Sequence, residues 1–175
     1  METIKLVRPT IEYKDQIVSY RKEFLENNDS MDGTSLLRNY ENTEEWLEHI
    51  TRNQKKETVQ KGWVPSDEYL AIRESDNRIV GMIDIRHYLN EWLLKIGGNI
   101  GYSVRKSERR KGYAKEMLRL ALIKCQELGL DRVLVSCYKH NIASAKTIMA
   151  NRGVLENEVE EEDGITQRYW ISLKR

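Results

Sequence analysis

With 175 residues, 29 of them basic and 28 acidic, the chain is sized for one hydrophobic core and a single domain spanning residues 1–175. It lacks the lasting positive excess that general nucleic-acid or membrane-surface binders carry. No stretch approaches the ~20 consecutive apolar residues of a membrane span, and no apolar run follows Met1-Glu2-Thr3-Ile4-Lys5 as it would in a signal peptide, so a cytoplasmic protein with neither nucleic acid nor membrane among its partners is expected.

Ile4 to Val7 reads as a short strand closed by Pro9, with Thr10 placed to cap a helix whose stripe is Ile11, Ile17, Val18, Tyr20, Phe24 and Leu25. Asn27-Asn28-Asp29 ends it as a turn cluster. Residues 29 to 65 are too long for a simple connection and read as a partly helical excursion on the substrate side. Within it, Thr43-Glu44-Glu45 starts a helix with Trp46, Leu47 and Ile50 on its apolar face. Trp46 and Trp63 either belong to a substrate surface or simply pin this excursion to the core.

Tyr69 to Arg73 and Arg78 to Tyr88 form two strand patterns around an Asp76-Asn77 turn, and after a loop from Asn90 to Gly97 a further strand runs from Ile100 to Val104. Gly97, Gly98 and Gly101 are out of place in a strand unless a bulge or a close approach requires them. The clearest helix follows, with Ala114, Met117, Leu118, Ala121, Cys125 and Leu128 on one face and Gly129 as its stop. Val133 to Cys137 has the apolar composition of a strand buried within a sheet, so strand, helix and strand imply a right-handed crossover between parallel neighbours. Asn141 starts a last helix through Ala150, and Val154 to Val159 with Ile165 to Leu173 closes the chain as a hairpin turned at Asp163-Gly164. Cys125 and Cys137 fall within a helix and a strand pattern and read as small buried hydrophobes, not as a disulfide or metal ligands.

Charge is distributed locally. Arg105 to Lys111 holds five cations and one acid, whereas Glu156 to Asp163 holds six acids and no cation. At Arg109-Arg110-Lys111-Gly112-Tyr113-Ala114 a glycine follows three cations and opens a helix, so backbone N–H groups and positive charge converge on one point. That is the construction of an anion site.

Arg109-x-x-Gly112-x-Ala114, between a strand ending at Val104 and an amphipathic helix, resembles the acyl-CoA pyrophosphate loop of the GNAT family of N-acetyltransferases. The resemblance extends over essentially the whole chain, including Asn141-x-x-Ser144 on the next helix, and Gly97 to Lys115 and Asn141 to Val159 look like a poorly characterised bacterial branch of that family. It implies an α+β GNAT fold: a mixed, mostly antiparallel central sheet of about seven strands flanked by helices. A splayed parallel strand pair, Tyr102-Ser103-Val104 and Val133 to Cys137, would hold acyl-CoA.

The resemblance further implies acetyl transfer from acetyl-CoA to a small amine or peptide amine, without a metal. Arg109, Arg110, Lys111, Gly112, Tyr113 and Ala114 would cradle the pyrophosphate, and the pantetheine arm would lie along Tyr102, Ser103 and Val104 with Asn141 and Ser144 beside it. A homodimer is common in the family. Many relatives place a tyrosine acid where this chain has Ile148, so the proton donor is left to Ser144, Tyr138 or solvent. Asp84 and His87, three apart on one strand, point to opposite faces, and Asp84 is the favoured base. Asn141 also reads as a plain helix cap, and the acidic run as a solvated hairpin or as an attractor of a cationic acceptor. The loss of the tyrosine leaves a second reading, a non-catalytic acyl-CoA-binding or regulatory protein.

Overall fold

The computed structural model describes residues 1–174. Strand β1 (Ile4–Val7) leads through a short helical turn into α1 (Lys14–Glu26), followed by α2 (Thr43–Arg52), β2 (Ser66–Arg73), β3 (Arg78–Arg86), β4 (Ile100–Val104), α3 (Tyr113–Glu127), β5 (Arg132–Tyr138), α4 (Ile142–Ala150), β6 (Val154–Glu161) and β7 (Gly164–Ser172). This is an α+β arrangement, and every strand ladder among the described residues is antiparallel.

The seven strands do not form one sheet. They divide into a four-stranded sheet ordered β1-β2-β3-β4 and a three-stranded sheet ordered β5-β7-β6. The expected crossover β4-α3-β5 therefore joins two sheets, and β7 lies between β5 and β6. No ladder joins β4 and β5, the strands expected as a splayed parallel pair, and they are tied just before β4 begins: the Asn99 N–H donates to the Leu134 carbonyl at 2.7 Å, and the Leu134 N–H donates to Asn99 Oδ1 at 2.9 Å. Gly98 permits this approach, with φ 67° and a missing side chain that would stand 2.6 Å from the Leu134 carbonyl oxygen. Ser136 Oγ donates to the Ile96 carbonyl, so β5 is bound next to a wide helical turn, Leu93–Gly97, and not to the body of β4.

The alternation of β2 and β3 divides the core. Tyr69, Ala71, Ile83 and Ile85 pack with Met117, Leu118, Ala121 and Cys125 of α3, while Leu70, Ile72 and Met82 pack with Ile17, Tyr20 and Phe24 of α1 and Trp46 of α2. Both faces of the central strands are thus covered, and burial of each large side chain contributes about 1.5–3 kcal/mol. The stripe on α1 is narrower than expected: Ile17, Tyr20 and Phe24 are buried, whereas Ile11, Val18 and Leu25 are exposed. Thr10 makes no side-chain cap bond, and α2 is capped by Asn42, one residue before the expected start. Trp46 is fully buried and donates to the Thr34 carbonyl, so it pins the excursion, while Trp63 stands edge-on to His49 and is partly exposed. No helix among the described residues is long and apolar enough to cross a membrane.

Asn99 is 3% exposed and its amide also donates to the Arg86 carbonyl at 3.3 Å, so its side chain ties β3 to β5. Asn99→Ala removes a partner from a buried N–H and a buried carbonyl and is expected to cost roughly 2–3 kcal/mol in urea unfolding. A loss within about 0.5 kcal/mol of zero would mean that the seam does not depend on this side chain.

Candidate functional site

The basic bend is anchored from beneath before it presents anything to solvent. At the end of β4, Arg105 turns inward and is 3% exposed, donating to Glu23 Oε2 at 2.6 Å and to Ser19 Oγ at 3.1 Å. Glu23 accepts the Ser107 N–H at 2.7 Å with its other oxygen, which ties the bend to α1. Glu108, 5% exposed, accepts from Arg73, Arg78 and Lys111 at 2.8, 2.9 and 2.8 Å. Burial opposes ionisation of both carboxyls, but the N–H donors and neighbouring cations outweigh it and hold each below its usual range.

The three cations of the bend are therefore not equivalent. Lys111 is paired with Glu108, and Arg109 donates to the Val104 carbonyl at 2.8 Å while lying 3.1 Å from Asp29 and over the Phe24 ring. Arg110 is exposed on a left-handed turn, φ 63°. Gly112, φ 85°, then opens α3, a conformation that costs a side-chain-bearing residue roughly 1–2 kcal/mol. The Tyr113 ring is buried with its hydroxyl accepting from Arg73, so Tyr113 and half-buried Ala114 can contribute their N–H groups at the helix start but not their side chains. The space above Gly112 is open apart from Met1 Sδ, 3.1 Å from where a Cβ would stand. A cleft of about 620 Å³ continues from Gly112 past Lys115 and Arg119 to Arg152 and Lys174.

Beside the bend, β4 and β5 present facing edges. Arg105 N–H bonds the Val80 carbonyl and Arg86 N–H the Asn99 carbonyl, so odd-numbered residues of β4 bond to β3. Tyr102 and Val104 turn their backbone groups to the other edge. On β5 the same alternation turns Ser136 and Tyr138 toward β4, because Lys139 N–H bonds Ile165 on β7 while Leu134 bonds Asn99. Beyond Asn99 and Leu134 no bond joins the two strands among the described residues.

Two hydroxyls bridge this region to α4. Tyr102 Oη and Ser144 Oγ lie 2.7 Å apart, and burial pushes the phenol well above its usual pKa. Cys137 is half-buried, its thiol likewise pushed up by burial and interacting with Ser144. Asn141 Oδ1 caps α4 by accepting the Ser144 N–H at 3.1 Å, which engages its carbonyl oxygen and not its amide nitrogen. Tyr138 points elsewhere: its hydroxyl donates to Asp163 at 2.6 Å, the ring stacks on His140, and the phenol is pushed up to about 12 chiefly by the Asp163 hydrogen bond. Ser103 also turns away, with its hydroxyl 2.9 Å from Tyr20 Oη in the core.

Asp84 and His87 do face apart. His87 bonds Asp67 at 2.9 Å, in a group that includes Arg8, whereas Asp84 lies 5% exposed on the α1 side with Oδ2 3.0 Å from Arg86 Nε. Directly opposite Asp84 on β2 is Glu68, 2% exposed, which lies just ahead of the strand pattern read from Tyr69 onward. Its position beside Asp67 and before an apolar run gives no sign of burial, and only the register exposes the pairing. Ile148, at the position where the resemblance implies a tyrosine, is buried and packs against Gly153. The acidic run lies along exposed β6 and its turn, with Glu156 engaged by Arg168 and Trp170 and Glu158 by Lys139.

A family model described as "Acetyltransferase (GNAT) domain" matches residues 5–153. No curated protein matches the chain by sequence. Among solved structures, the chain is similar to RimL, a ribosomal L7/L12 alpha-N-protein acetyltransferase in complex with coenzyme A, with 19% identity, TM-score 0.67 and coverage of 97% of this chain and 94% of that one. It is also similar to the microcin C7 self-immunity acetyltransferase MccE with acetyl-CoA and AMP (15% identity, TM-score 0.68, 97% and 92% covered). A third is a chimera of Vibrio cholerae spermidine N-acetyltransferase SpeG with hSSAT (13% identity, TM-score 0.66, 97% and 95% covered). At these identities the likeness is one of fold.

Glu23 and Glu108 make the anchoring of the bend pH-dependent. Their folded pKa values lie below the unfolded value of about 4.3, so their stabilisation is complete above that value and is lost as pH falls through the folded pKa. Thermal melts from about pH 7 to about pH 3 should show Tm falling toward acid, and Glu108→Gln should lower Tm near neutrality while flattening that fall. Superimposable profiles for the variant and the natural sequence would remove Glu108 from this role.

Proposed function

The chain belongs to the GNAT acetyltransferase family, and from that premise we propose that it transfers an acetyl group from acetyl-CoA to a primary amine. The observation that carries this reading is the adjacency of a glycine-opened helix start, under open space at Gly112, to a strand edge at Tyr102 and Val104 with no strand partner. A diphosphate needs several close N–H donors, and an extended amide-containing arm needs an unpaired edge. The chain offers both within a few residues. β4 and β5 act as a splayed pair, with the arm bonded along Tyr102, Ser103 and Val104 like an added strand. Gly112, Tyr113 and Ala114 offer N–H groups to the phosphates, Arg109, Arg110 and Lys111 supply attraction, and the cleft past Lys115 and Arg152 takes the nucleotide end.

When bound, acetyl-CoA supplies an activated thioester, and the chain's own residues do the rest. A backbone N–H near Val104 polarises the carbonyl. The Asn141 amide nitrogen, not used by the helix cap, bonds the arm. Asp84 takes a proton from the amine through water. Ser144, with Tyr102 behind it, donates to the departing sulfur, and Tyr138, bonded to Asp163, is the weaker donor. The similar structures include proteins named for acting on a protein alpha-amine and on spermidine, which supports an amine acceptor, either small or at a peptide terminus. The acidic hairpin would favour a cationic one. A buried Ile148 in place of a tyrosine supports a second reading, an acyl-CoA-binding protein without turnover.

Gly112→Glu should weaken CoA binding by roughly 100-fold or more, about 2.7 kcal/mol, in calorimetric titration of a folded variant. Unchanged affinity would overturn the cradle. Thiol release from acetyl-CoA over a panel of polyamines, lysine peptides and free N-terminal peptides separates the two readings, because tight CoA binding with no turnover on any amine favours the second.

A further inference from the structure

On the α1 face of the four-stranded sheet, Glu68, Asp84 and Gly101 occupy one row across β2, β3 and β4. The next row, Leu70, Met82 and Ser103, is core, so the two carboxylates sit at the margin of an apolar layer. Glu68 is 2% and Asp84 5% exposed, and each keeps one side-chain oxygen, Glu68 Oε1 and Asp84 Oδ1, without a hydrogen-bond donor among the described residues. Directly opposed side chains in an antiparallel pair have Cβ atoms about 4.5–5.5 Å apart. Two buried carboxyls at opposed positions disfavour each other's ionisation.

Among the described residues one cation contacts the pair. Arg86, one row further along β3, holds Asp84 Oδ2 at 3.0 Å and is itself fixed by the Gly97 and Gly98 carbonyls. From β4, Gly101 lies against Asp84 Oδ1. From the loop between α1 and α2, Ser35 Oγ donates to Glu68 Oε2 at 2.8 Å, and Gly33 lies against Gly101. From α1 comes only the neutral hydroxyl of Tyr20, bonded to Ser103. Two buried carboxyls thus face one guanidinium.

We propose that Glu68 is a positioning residue: it shares a single proton with Asp84 across the β2–β3 ladder and thereby governs how readily Asp84 takes up the acceptor's proton. This rests on Asp84 serving as base in the transfer proposed above. Gly101 gives the pair its reach toward the gap. A Cβ there would stand 2.9 Å from Asp84 Oδ1, so the carboxylate occupies space that any side chain would fill, on the strand that carries Tyr102. Burial raises the affinity of both carboxyls for a proton, and each is raised further by, or held against, the charges of its neighbours: Asp84 acts on Glu68, and Arg86 opposes the rise at Asp84.

The proton balance is complete without a further reactant. The acceptor ammonium gives one proton through water to the pair. Its nitrogen lone pair forms the bond to the acetyl carbon, the carbon–sulfur bond breaks with its electrons on sulfur, and a second nitrogen proton ends on the thiol. The pair then returns its proton to solvent.

The first test uses the protein without substrates: carbon-13 NMR titration of its side-chain carboxyls, with Glu68→Gln and Asp84→Asn identifying the signals. One of the two should stay protonated into the neutral range, and removing either partner should move the other's midpoint toward acid. Both carboxyls ionised near neutrality, or midpoints that ignore the partner, overturn the pair. The second test follows kcat/KM against pH with acetyl-CoA and whichever panel amine turns over fastest. Glu68→Gln should move the acid limb to lower pH, and Glu68→Asp should restore it. An unmoved limb with coupled titrations overturns the positioning role and leaves the transfer reading standing, whereas loss of coupling leaves that reading untouched as well. No turnover on any amine, with CoA binding intact, overturns the transfer reading and this role with it. Should Glu68→Gln fail to fold, the Asp84→Asn titration and the Glu68→Asp profile carry the same outcomes.

Discussion

One asparagine does the work of a strand partner. Asn99 directs its carbonyl to Arg86 on β3 and its N–H to Leu134 on β5, and its side-chain oxygen returns the second bond to Leu134. A residue in a regular strand sends both backbone groups to one side, so this split is possible only because the chain turns at Gly98. Past that point β4 and β5 each carry backbone groups with no strand opposite. A buried unpaired backbone group costs about 1–3 kcal/mol, so an open seam is sustained only where something polar reaches it. The Arg109 guanidinium does so at the Val104 carbonyl, and Asn141 N–H does so at the Tyr138 carbonyl. What remains, around Tyr102 and Ser136, is a strand-shaped demand for hydrogen bonds set beside the start of α3.

The bend that continues β4 has to stay where it is for that adjacency to persist. Its charges accomplish this more than they attract ligands. Arg105 looks in the sequence like one more cation, yet it is buried against Glu23 and Ser19, and the lone acid of the cluster, Glu108, gathers three cations. Counting charge along the chain therefore overstates the free positive field of the bend. In the proposed cradle an anion would depend more on the left-handed residues Arg110 and Gly112 and the N–H groups beside them than on net charge.

Elements whose signals are local were readable in the sequence. The stripe of α3 with its Gly129 stop, the β2–β3 hairpin and the β6–β7 hairpin depend on periodicity and turn chemistry carried by neighbouring residues. The division into two sheets was not, because placing β7 between β5 and β6 depends on contacts far apart in sequence. The turn at Leu93–Gly97 has no signature distinct from a loop in the sequence, since one short wide turn shows no repeat, although Asn90 Oδ1 accepts the Leu93 N–H at its start. The glycine-opened start of α3 at Gly112 is legible because its signal is local. Glu68 was not, because a glutamate ahead of an apolar run has the same appearance whether solvated or buried, and only the register with Asp84 distinguishes them.

The burial of that pair is hard to explain by stability alone. Replacing buried ionic groups by well-packed apolar ones is often neutral or stabilising, and the adjoining row, with Leu70 and Met82 fully buried, shows that this face accepts aliphatic side chains. The carboxylates instead require further accommodation. Gly101 leaves space for Asp84, Gly33 must lie against Gly101 to cover the row, and Ser35, in the left-handed region at φ 49°, must turn its hydroxyl to Glu68. Strain at a side-chain-bearing left-handed residue persists only where the surrounding contacts fix it, and such residues cluster where a site is being shaped. Two separate segments, β4 at Gly101 and the α1–α2 loop at Gly33 and Ser35, thus accommodate two acids in a place where hydrocarbon would pack, one strand away from the open seam. That combination ties the α1–α2 loop to the same proton-handling row that the unpaired edge of β4 adjoins.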